Sequence, residues 1–303
     1  MNGKRPYKLP EPLLCSADKE INMTLVDEYI RKHEERMPRY RYLENLYKGF
    51  HDVFRLPEKE SWKPDNRLAV NFPRYITETF LGYAYGLPVK KSHPDEKIKD
   101  AILEFDRDND ISDQEYELVK KCCIYGHAFE YFYQDEEAKT KTVVCNPKEL
   151  FVVYDDTVKS RALFAVRYGK KDDNVTRYGE ILTRTEIIPF DGEKMQESIP
   201  NPYGRINCVE YVLNDERIGL YEEVAGMVET YNRVIGEKAN DVDSFAEAYL
   251  AVLGAELDEE GVYKIRDNRI INLYGTDNAK DIIVQFLGKP TADGTQENLL
   301  NRL

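Results

Sequence analysis

The sequence predicts an α+β protein built from more than one structural unit, with helices first, an antiparallel sheet next, then a long amphipathic helix and a small C-terminal α/β lobe. Apolar residues recur at helical spacing as far as about residue 125 and then at the period of two that is typical of strands. From Ile218 the helical spacing returns and is sustained for about nine turns. The 303 residues are about twice the length of a typical domain, and an apolar fraction of 42% supplies enough material for cores.

Helices dominate the part of the chain before the strands. Residues 1–24 are rich in proline and predict an N-terminal arm. Thr24 with Asp27 three residues later predicts the start of the first helix, and Gly49 predicts the end of the second. The predicted boundaries of the remaining helical segments are Pro38 between the first two helices, Pro73 to Gly86 for the third, Asp95–Asp106 for the fourth and Asp113–Tyr125 for the fifth.

Short segments rich in β-branched and aromatic residues follow, separated by polar turns. Consecutive strands joined by short turns predict an antiparallel meander. Together with the preceding helices they define a predicted α+β domain over residues 25–215. The predicted strands are Ala128–Gln134, Lys141–Val144, Glu149–Tyr154, Ala162–Tyr168, Thr176–Leu182, Glu186–Phe190 and Cys208–Leu213.

The long amphipathic helix carries most of the excess negative charge, because residues 216–260 hold twelve acidic and three basic side chains. Its apolar pattern continues to Tyr249 with a bend expected near Gly236 or Asn240, so residues 216–240 predict a helix that outruns a small domain and needs partners along its length. Residues 241–290 predict a small lobe, and residues 291–303 begin another amphipathic helix. We therefore expect the sequence to be truncated at its C-terminus. The predicted strands of the lobe are Val262–Ile265, Ile270–Leu273 and Ile282–Phe286.

Composition and charge exclude several classes of protein. A formal charge of −13 and a pI near 5.0 argue against a protein that wraps its surface in DNA phosphates. No apolar run approaches the roughly 18 residues of a membrane helix, so we expect no membrane partner. Five scattered cysteines without a secretory signal predict reduced thiols.

The motifs of common catalytic and metal sites are missing or incomplete. No phosphate-binding loop, dinucleotide fingerprint or nucleophile turn occurs, and the four histidines lack zinc spacing. Residues 106–117 have acidic spacing similar to that of a calcium loop, but Ile111 stands where the turn requires glycine. Asp155-Asp156 after a strand suggests a metal-binding pair only weakly, since a turn explains it. We therefore predict no catalytic residue, no metal and no cofactor.

Several blocks of the sequence resemble, in order, those of one protein family, the phage portal proteins of the Bacillus-phage type related to the portal of phage SPP1. The blocks consist mainly of glycine, proline, asparagine and aromatic residues at bends, and their succession over residues 40–303 carries the resemblance. Asn207 departs from the pattern, where a proline is expected. The blocks are Tyr47 to His51, Asn66 to Phe72 with the following helix to Val89, Tyr125 to Glu130, Asn146 to Asp156, Gly204 to Tyr211 and Asn240 to Leu250.

The resemblance implies a structural subunit of a ring, usually of twelve copies, at one vertex of a capsid, in the virion and in the host cytoplasm during assembly. The α+β domain would be the wing, residues 216–240 the stem, residues 241–290 the clip and residues 291–303 the start of a second stem helix. The implied partners are further copies of the chain, the terminase large subunit, scaffold and major capsid proteins, head-completion or adaptor proteins, and double-stranded DNA that passes through the channel.

Charged residues of the stem and clip are the candidate functional residues. An acidic wall would avoid the many phosphate contacts that stall sliding DNA; alternatively, the charges only solvate the helix or pair between subunits. A monomeric phage scaffold or adaptor module and a metal-dependent nuclease remain the alternative functions. The candidate channel-lining residues are Glu222, Glu229, Arg233, Glu237, Lys238 and Asp241, and the candidate terminase-docking residues are Glu259, Glu260, Arg266, Asp267 and Arg269.

Overall fold

A computed structural model describes residue 7 and residues 10–61, 63–173, 175–246, 249–253 and 283–287. The chain divides into two compact units. The first unit contains Met1–His51 and Val70–Val228, and the second contains Asp52–Ala69 and Glu229–Leu303. The segment Asp52–Ala69, which lies inside the predicted wing in the sequence, thus groups with the long helix. The domain boundaries given above otherwise stay predictions.

The helices of the first unit begin and end close to their predicted positions, with caps that explain them. The side chain of Asn22, rather than Thr24, caps the first helix by accepting a hydrogen bond from the Leu25 backbone at 2.9 Å. Gly49 ends the second helix in the left-handed conformation with φ of 85°. The helices are α1 Met23–Glu34, α2 Met37–Lys48, α3 Phe72–Tyr85, α4 Glu96–Asp108, α5 Ile111–Tyr125 and α6 Ala225–Ala246, with a 3₁₀ turn at Asp52–Arg55.

The strands form two sheets in the first unit instead of the single meander that we predicted. The larger sheet has the order β1-β4-β5-β6-β7-β8, with β9 also on β7, and the smaller has the order β10-β2-β3. Leu13–Cys15 of the predicted arm forms β1 and pairs in parallel with β4. The strands are β1 Leu13–Cys15, β2 His127–Gln134, β3 Thr140–Cys145, β4 Leu150–Asp155, β5 Ala162–Lys170, β6 Arg177–Leu182, β7 Glu186–Asp191, β8 Lys194–Met195, β9 Ile199–Pro200 and β10 Cys208–Val212.

Three of the four apolar clusters among the described residues supply most of the core of the first unit. Helix α1 packs on the larger sheet through Val26 and Ile30, which are fully buried. The two sheets meet through Phe129, Leu150 and their neighbours. Helices α2 and α5 enclose a third cluster that also receives Tyr221 and Ala225, so the start of α6 is part of this core.

The long helix is shorter than its apolar pattern predicts. Helix α6 has 22 residues, about 33 Å, and begins at Ala225 instead of Ile218. Residues before it form turns tied to the first unit, with Leu220 donating to the Cys123 carbonyl at 2.7 Å. Gly126, at φ of 87°, permits this close approach, because an added Cβ would lie 1.9 Å from the Arg217 carbonyl oxygen.

The second unit also contains a two-stranded antiparallel ribbon of β11 Tyr249–Leu253 and β12 Ile283–Leu287. Strand β12 agrees with the predicted strand Ile282–Phe286, whereas β11 occupies the end of the predicted helical pattern. The predicted strands Val262–Ile265 and Ile270–Leu273, and the predicted helix at 291–303, lie outside the described residues. Within the described ranges, no helix combines the length and apolar character that a membrane span requires.

Candidate functional site

A buried ion pair holds the chain immediately before α6. The Arg39 guanidinium on α2 donates through Nε to Glu222 Oε1 at 2.8 Å and through Nη2 to Glu222 Oε2, and both side chains are buried. The remaining donors of Arg39 reach the carbonyls of Tyr125 at 3.1 Å and Arg217 at 2.9 Å. Because a buried charge must be paired and fully hydrogen-bonded, this arrangement fixes the turn that leads into α6.

This pair corrects the assignment of Glu222 to a channel wall. Glu222 precedes α6, its side chain is 0% exposed, and its carboxylate also accepts from the Gly219 backbone at 2.9 Å. The sequence offered one signal for its partner. Arg39 occupies the apolar row of α2 with Leu43 and Leu46, and an arginine on a buried helix face indicates a buried acidic partner.

A second buried network lies next to the first and shares Arg217. The Arg217 side chain donates twice to Glu210 at 2.8 Å, and His127 Nδ1 lies 2.7 Å from the same carboxylate. Tyr154 also donates to Glu210, while Tyr40 Oη contacts His127 Nε2 at 2.8 Å. Burial alone would raise the pKa of Glu210, but the hydrogen bonds from Arg217 and His127 hold that pKa well below its usual range.

Arg217 itself has a left-handed backbone, with φ of 56°. A non-glycine residue in this region stores strain that the surrounding contacts must compensate. Its carbonyl accepts from Arg39 and its side chain binds Glu210, so the two networks together determine that conformation. The turn before α6 is therefore held from both sides by buried charge.

Residues 52–69, here called the strap, contact α6 within the second unit. The Asp52 backbone donates to Glu229 at 2.9 Å, and Lys59 pairs with Glu237 at 3.1 Å. The Asn66 backbone donates to Asn240 Oδ1 at 2.6 Å. The strap thus binds one side of α6 at three levels along the helix.

The strap is held in shape by Arg67. Its guanidinium donates to the carbonyls of Phe54 at 3.3 Å and Pro57 at 3.2 Å, and pairs with Asp65 at 2.8 Å. These contacts close the loop on itself, so that Asn66 is presented to α6. The strap includes most of the Asn66–Phe72 sequence block, whose role as a helix contact the sequence alone did not predict.

Helix α6 has three distinct sides around its axis. Asn232, Gly236 and Asn240, at a spacing of four, form a buried row. At about 100° per residue, Arg233, Glu237 and Asp241 form a second row on one flank of it. The other flank is mainly apolar and carries Met227, Tyr231, Val234, Ile235 and Val242.

The structure places the candidate channel residues of α6 in different environments. Glu229 and Glu237 contact the strap, Arg233 is exposed, and Lys238 and Asp241 are half-buried. The candidate docking residues Glu259, Glu260, Arg266, Asp267 and Arg269 lie outside the described residues. Across the described part of the chain, no group of three or more histidine, cysteine or acidic residues is placed to hold a metal ion, and Asp155 accepts from the Thr157 hydroxyl at 2.7 Å in a turn.

The comparison with protein families decides the identity of the fold. The model of the phage portal protein family described as SPP1 Gp6-like matches residues 26–303, almost the whole chain. The chain belongs to this portal protein family. The resemblance noted in the sequence is confirmed, and the expectation of a non-enzymatic protein is confirmed with it, since the family is one of structural proteins.

Individual portal relatives are distant. The portal protein of Bacillus phage SPP1 is 21% identical over 277 residues, which cover 81% of this chain and 54% of that protein. The chain therefore spans about half the length of that portal protein. A chain from the virion of a native gene transfer agent particle has a TM-score of 0.48 at 10% identity, covering 87% of this chain and 66% of that one. A chain from the neck of an empty gene transfer agent particle has a TM-score of 0.43 at 10% identity, covering 76% and 62%.

Proposed function

We propose that the chain is a subunit of a ring-shaped channel at one capsid vertex, through which double-stranded DNA passes during packaging and ejection. The observation that carries this proposal is the portal family match over residues 26–303. The resemblance implies a ring of about twelve copies. It also implies that the protein is part of the virion and, during assembly, of the host cytoplasm. Identical subunits that meet head to tail close into a ring when the rotation between them allows it.

The three sides of α6 suggest how the helix is used in such a ring. The buried row contacts the strap, and Lys59 of the strap also pairs with Glu237 on the charged flank. The apolar flank lies on the other side of the helix. An apolar flank favours a protein partner, whereas a charged flank tolerates water and DNA. We therefore assign Arg233, Glu237 and Asp241 to the channel wall. Glu229 lies on the side of the strap, and Lys238 falls within the apolar flank.

The charges of this flank suit a channel that must not bind the passing DNA tightly. Tight DNA binding needs several cation–phosphate contacts at once. The row supplies one cation, Arg233, beside two carboxylates, Glu237 and Asp241. Repeated around a ring, it presents alternating charges to the phosphates, with Lys59 of the strap beside Glu237, so contacts with DNA are few and transient.

The clip function remains a proposal based on the resemblance. Residues 241–290 would face the terminase large subunit during packaging and head-completion or adaptor proteins afterwards, with Glu259, Glu260, Arg266, Asp267 and Arg269 as docking residues. Scaffold and major capsid proteins would contact the outer surface of the ring. Charge reversal of the docking residues should weaken terminase binding without changing the mass of the ring.

The mass of the assembly in solution tests the proposed ring. We expect native mass spectrometry to report a closed oligomer of about a dozen subunits, and negative-stain electron microscopy to show rings with a central channel. A chain that stays monomeric at every concentration would contradict the ring and favour the adaptor alternative. A continuous ladder of open oligomers would also contradict closure.

A further inference from the structure

The N-terminal arm contacts the first unit at Tyr7, at Pro10 and Glu11, and along β1. Strand β1 pairs with the edge strand β4. Before it, Pro10 is buried, and the Glu11 carbonyl accepts a hydrogen bond from the side chain of Arg36 at the start of α2. The arm is therefore a packed part of the first unit, although its sequence has no helical or strand pattern.

Tyr7 lies beside the buried ion pair that precedes α6. Its ring centroid is 5.7 Å from that of Tyr42 and 6.0 Å from Cζ of Arg39. Burial raises the pKa of Tyr7, and so do the negative charge of Glu222 and a hydrogen bond to it, while Arg39 opposes them. The phenol is therefore protonated at neutral pH and donates to the Glu222 carboxylate. Tyr7 thus contacts both members of the pair.

The burial of these side chains indicates what Tyr7 does. The side chains of Arg39 and Glu222 are 1% and 0% exposed, whereas Tyr7 is only half-buried. A half-buried ring in contact with a fully buried pair forms part of the cover between that pair and the solvent. Because ionic hydrogen bonds are stronger where water is excluded, this cover strengthens the pair.

The covered pair determines the turn before α6. The Glu222 carboxylate accepts from the Gly219 backbone at 2.9 Å, and Arg39 donates to the Arg217 carbonyl at 2.9 Å. Arg217 has a left-handed backbone that only its surrounding contacts maintain. Water that reaches the pair would weaken these contacts, and the turn would then relax.

The arm can leave its site without unfolding of the first unit. Its described part before β1 is held by the Tyr7 side chain, by the buried Pro10 and by the hydrogen bond to the Glu11 carbonyl, and Glu11 itself is exposed. Segments with few buried contacts open locally at a free energy far below that of global unfolding. An arm-lifted state is therefore accessible to the folded chain.

We propose that the N-terminal arm is a conformational lock on the turn before α6. With Tyr7 in place, the pair of Arg39 and Glu222 is shielded from water and the turn is rigid. With the arm lifted, the turn gains freedom. Coupling of this kind is reciprocal, so loss of the pair should also release the arm. The lock is a property of the single chain and does not depend on the proposed ring.

Substitution of Tyr7 tests the lock. We expect Tyr7→Ala to accelerate amide hydrogen exchange of residues 217–222 about tenfold, as expected for loss of a hydrogen bond to a charged group. Tyr7→Phe, which keeps the ring and removes the hydroxyl, should give a smaller acceleration. Tyr83→Ala removes a 92% exposed tyrosine of α3 and should leave the exchange unchanged. Unchanged exchange in Tyr7→Ala would overturn the lock.

A second background shows whether Tyr7 acts through the ion pair. The variant Arg39→Met, Glu222→Leu has no charges to cover, so adding Tyr7→Ala to it should change the exchange of residues 217–222 by less than about twofold. Circular dichroism verifies that each variant is folded. Equal acceleration in both backgrounds would overturn the lock, because Tyr7 would then contribute only general packing.

Trypsin cleavage after Lys8 measures release of the arm, because a peptide bond must leave the protein surface to enter the protease. Mass spectrometry of the released peptide 1–8 gives the rate. We expect faster release in Tyr7→Ala and in Arg39→Met, Glu222→Leu, and the wild-type rate in Tyr83→Ala. A wild-type chain cleaved as fast as Tyr7→Ala would contradict docking of the arm. An unchanged rate in the pair variant would contradict the reciprocal coupling.

Discussion

Arg39 and Glu222 hold the entrance to α6 through charge, in a place where apolar packing would also have been possible. Desolvating two charges costs several kcal/mol, and their attraction and hydrogen bonds only offset that cost, so a buried pair adds little net stability. Removing one partner, however, leaves the other charge buried and unpaired. What the pair provides here is geometry, since Arg39 also holds the carbonyls of Tyr125 and Arg217.

We expect Arg39→Met to lower the free energy of unfolding by about 3–5 kcal/mol, because Glu222 then remains buried without its partner. The double variant Arg39→Met, Glu222→Leu should recover most of that loss. Urea denaturation followed by circular dichroism measures both values.

The matched control is Lys32→Met, which removes an exposed pair with Glu28 one turn away on α1. Exposed pairs of this kind contribute about 0.5 kcal/mol or less. Equal losses in Arg39→Met and Lys32→Met would show that the buried pair does not anchor the turn before α6.

His33 is a second buried polar residue whose protonation state the fold determines. It is 1% exposed, its Nε2 lies 2.8 Å from the Pro147 carbonyl, and its Nδ1 lies 3.0 Å from Tyr168 Oη. The carbonyl can only accept, so Nε2 carries the proton and Nδ1 accepts from Tyr168. Burial lowers the pKa of His33 to about 3.

This shift predicts an acid-dependent loss of stability. Between about pH 3 and 6.5 the unfolded chain binds a proton at His33 that the folded chain does not. The stabilisation is therefore complete above the unfolded pKa and declines as the pH falls, by up to about 1.4 kcal/mol per pH unit. Burial lowers the pKa of His127 as well, which adds to the same trend.

We expect His33→Leu to make the dependence of unfolding free energy on pH shallower by about one proton between about pH 4.5 and 6. Urea denaturation across that range measures the slope. His93→Gln, which replaces an exposed histidine, should keep the wild-type slope. An unchanged slope in His33→Leu would contradict the assignment of a neutral buried His33.

At the level of elements, the sequence predicted helices and strands well where local signals define them, as at Gly49, Gly126 and the strands from β2 to β7. It failed where tertiary contacts override periodicity. The apolar residues from Ile218 to Val224 have helical spacing, yet this segment forms turns because buried charge at Arg39 and Glu210 fixes Arg217 and Glu222. The sequence pattern shows the apolar spacing, but it does not show that Glu222 pairs with Arg39, which lies 183 residues away.

The strap was missed for a related reason. Its residues 52–69 lack apolar periodicity, so the sequence predicted no helix or strand there. Its contacts with α6 are polar and involve Lys59, Asn66 and Asp52, none of which has a distinctive spacing. The same holds for the candidate channel residues. The sequence identified them by residue type, but only the structure, through the strap and the buried row of α6, shows on which side of the helix each one lies.

The strap approaches α6 closely at Gly236, since an added Cβ would lie 2.8 Å from the Asn66 carbonyl oxygen. We expect Gly236→Ala to displace the strap and to destabilise its attachment by about 1–3 kcal/mol, as overpacking does. Hydrogen exchange of residues 52–69 should become faster. The strap cannot yield easily, because the Asn66 backbone also binds Asn240.

The same helix offers the control. Gly226 has nothing within 4 Å of an added Cβ, so Gly226→Ala should be neutral or stabilise α6 by up to about 1 kcal/mol through helix propensity. Opposite signs for the two variants would support close packing of the strap on Gly236. If Gly236→Ala leaves exchange of the strap unchanged, the strap is not seated on that row.

For the molecule as a whole, the charge distribution bears on the proposed channel wall. The flank of Arg233, Glu237 and Asp241 combines opposite charges with little apolar area, which favours neither protein nor DNA strongly. The net charge of −13 also disfavours the approach of DNA at long range, because both are negative.

The charged flank of α6 therefore makes a direct prediction for the assembled ring. Replacing Glu237 and Asp241 with lysine turns the row wholly positive, and every new phosphate contact should steepen the dependence of log K on log salt by about 0.9. The pair of Glu237 with Lys59 has a 53% exposed carboxylate, so its loss should cost about 1 kcal/mol or less.

We expect fluorescence anisotropy to show that wild-type rings hold linear duplex DNA weakly, and that variant rings hold it tightly at low salt and release it at high salt. Glu136→Lys with Glu137→Lys changes the net charge equally on the exposed turn between β2 and β3 and should leave DNA affinity near the wild-type value. If both double variants bind DNA alike, the net charge of the ring decides affinity, and the flank of Arg233, Glu237 and Asp241 does not line the channel.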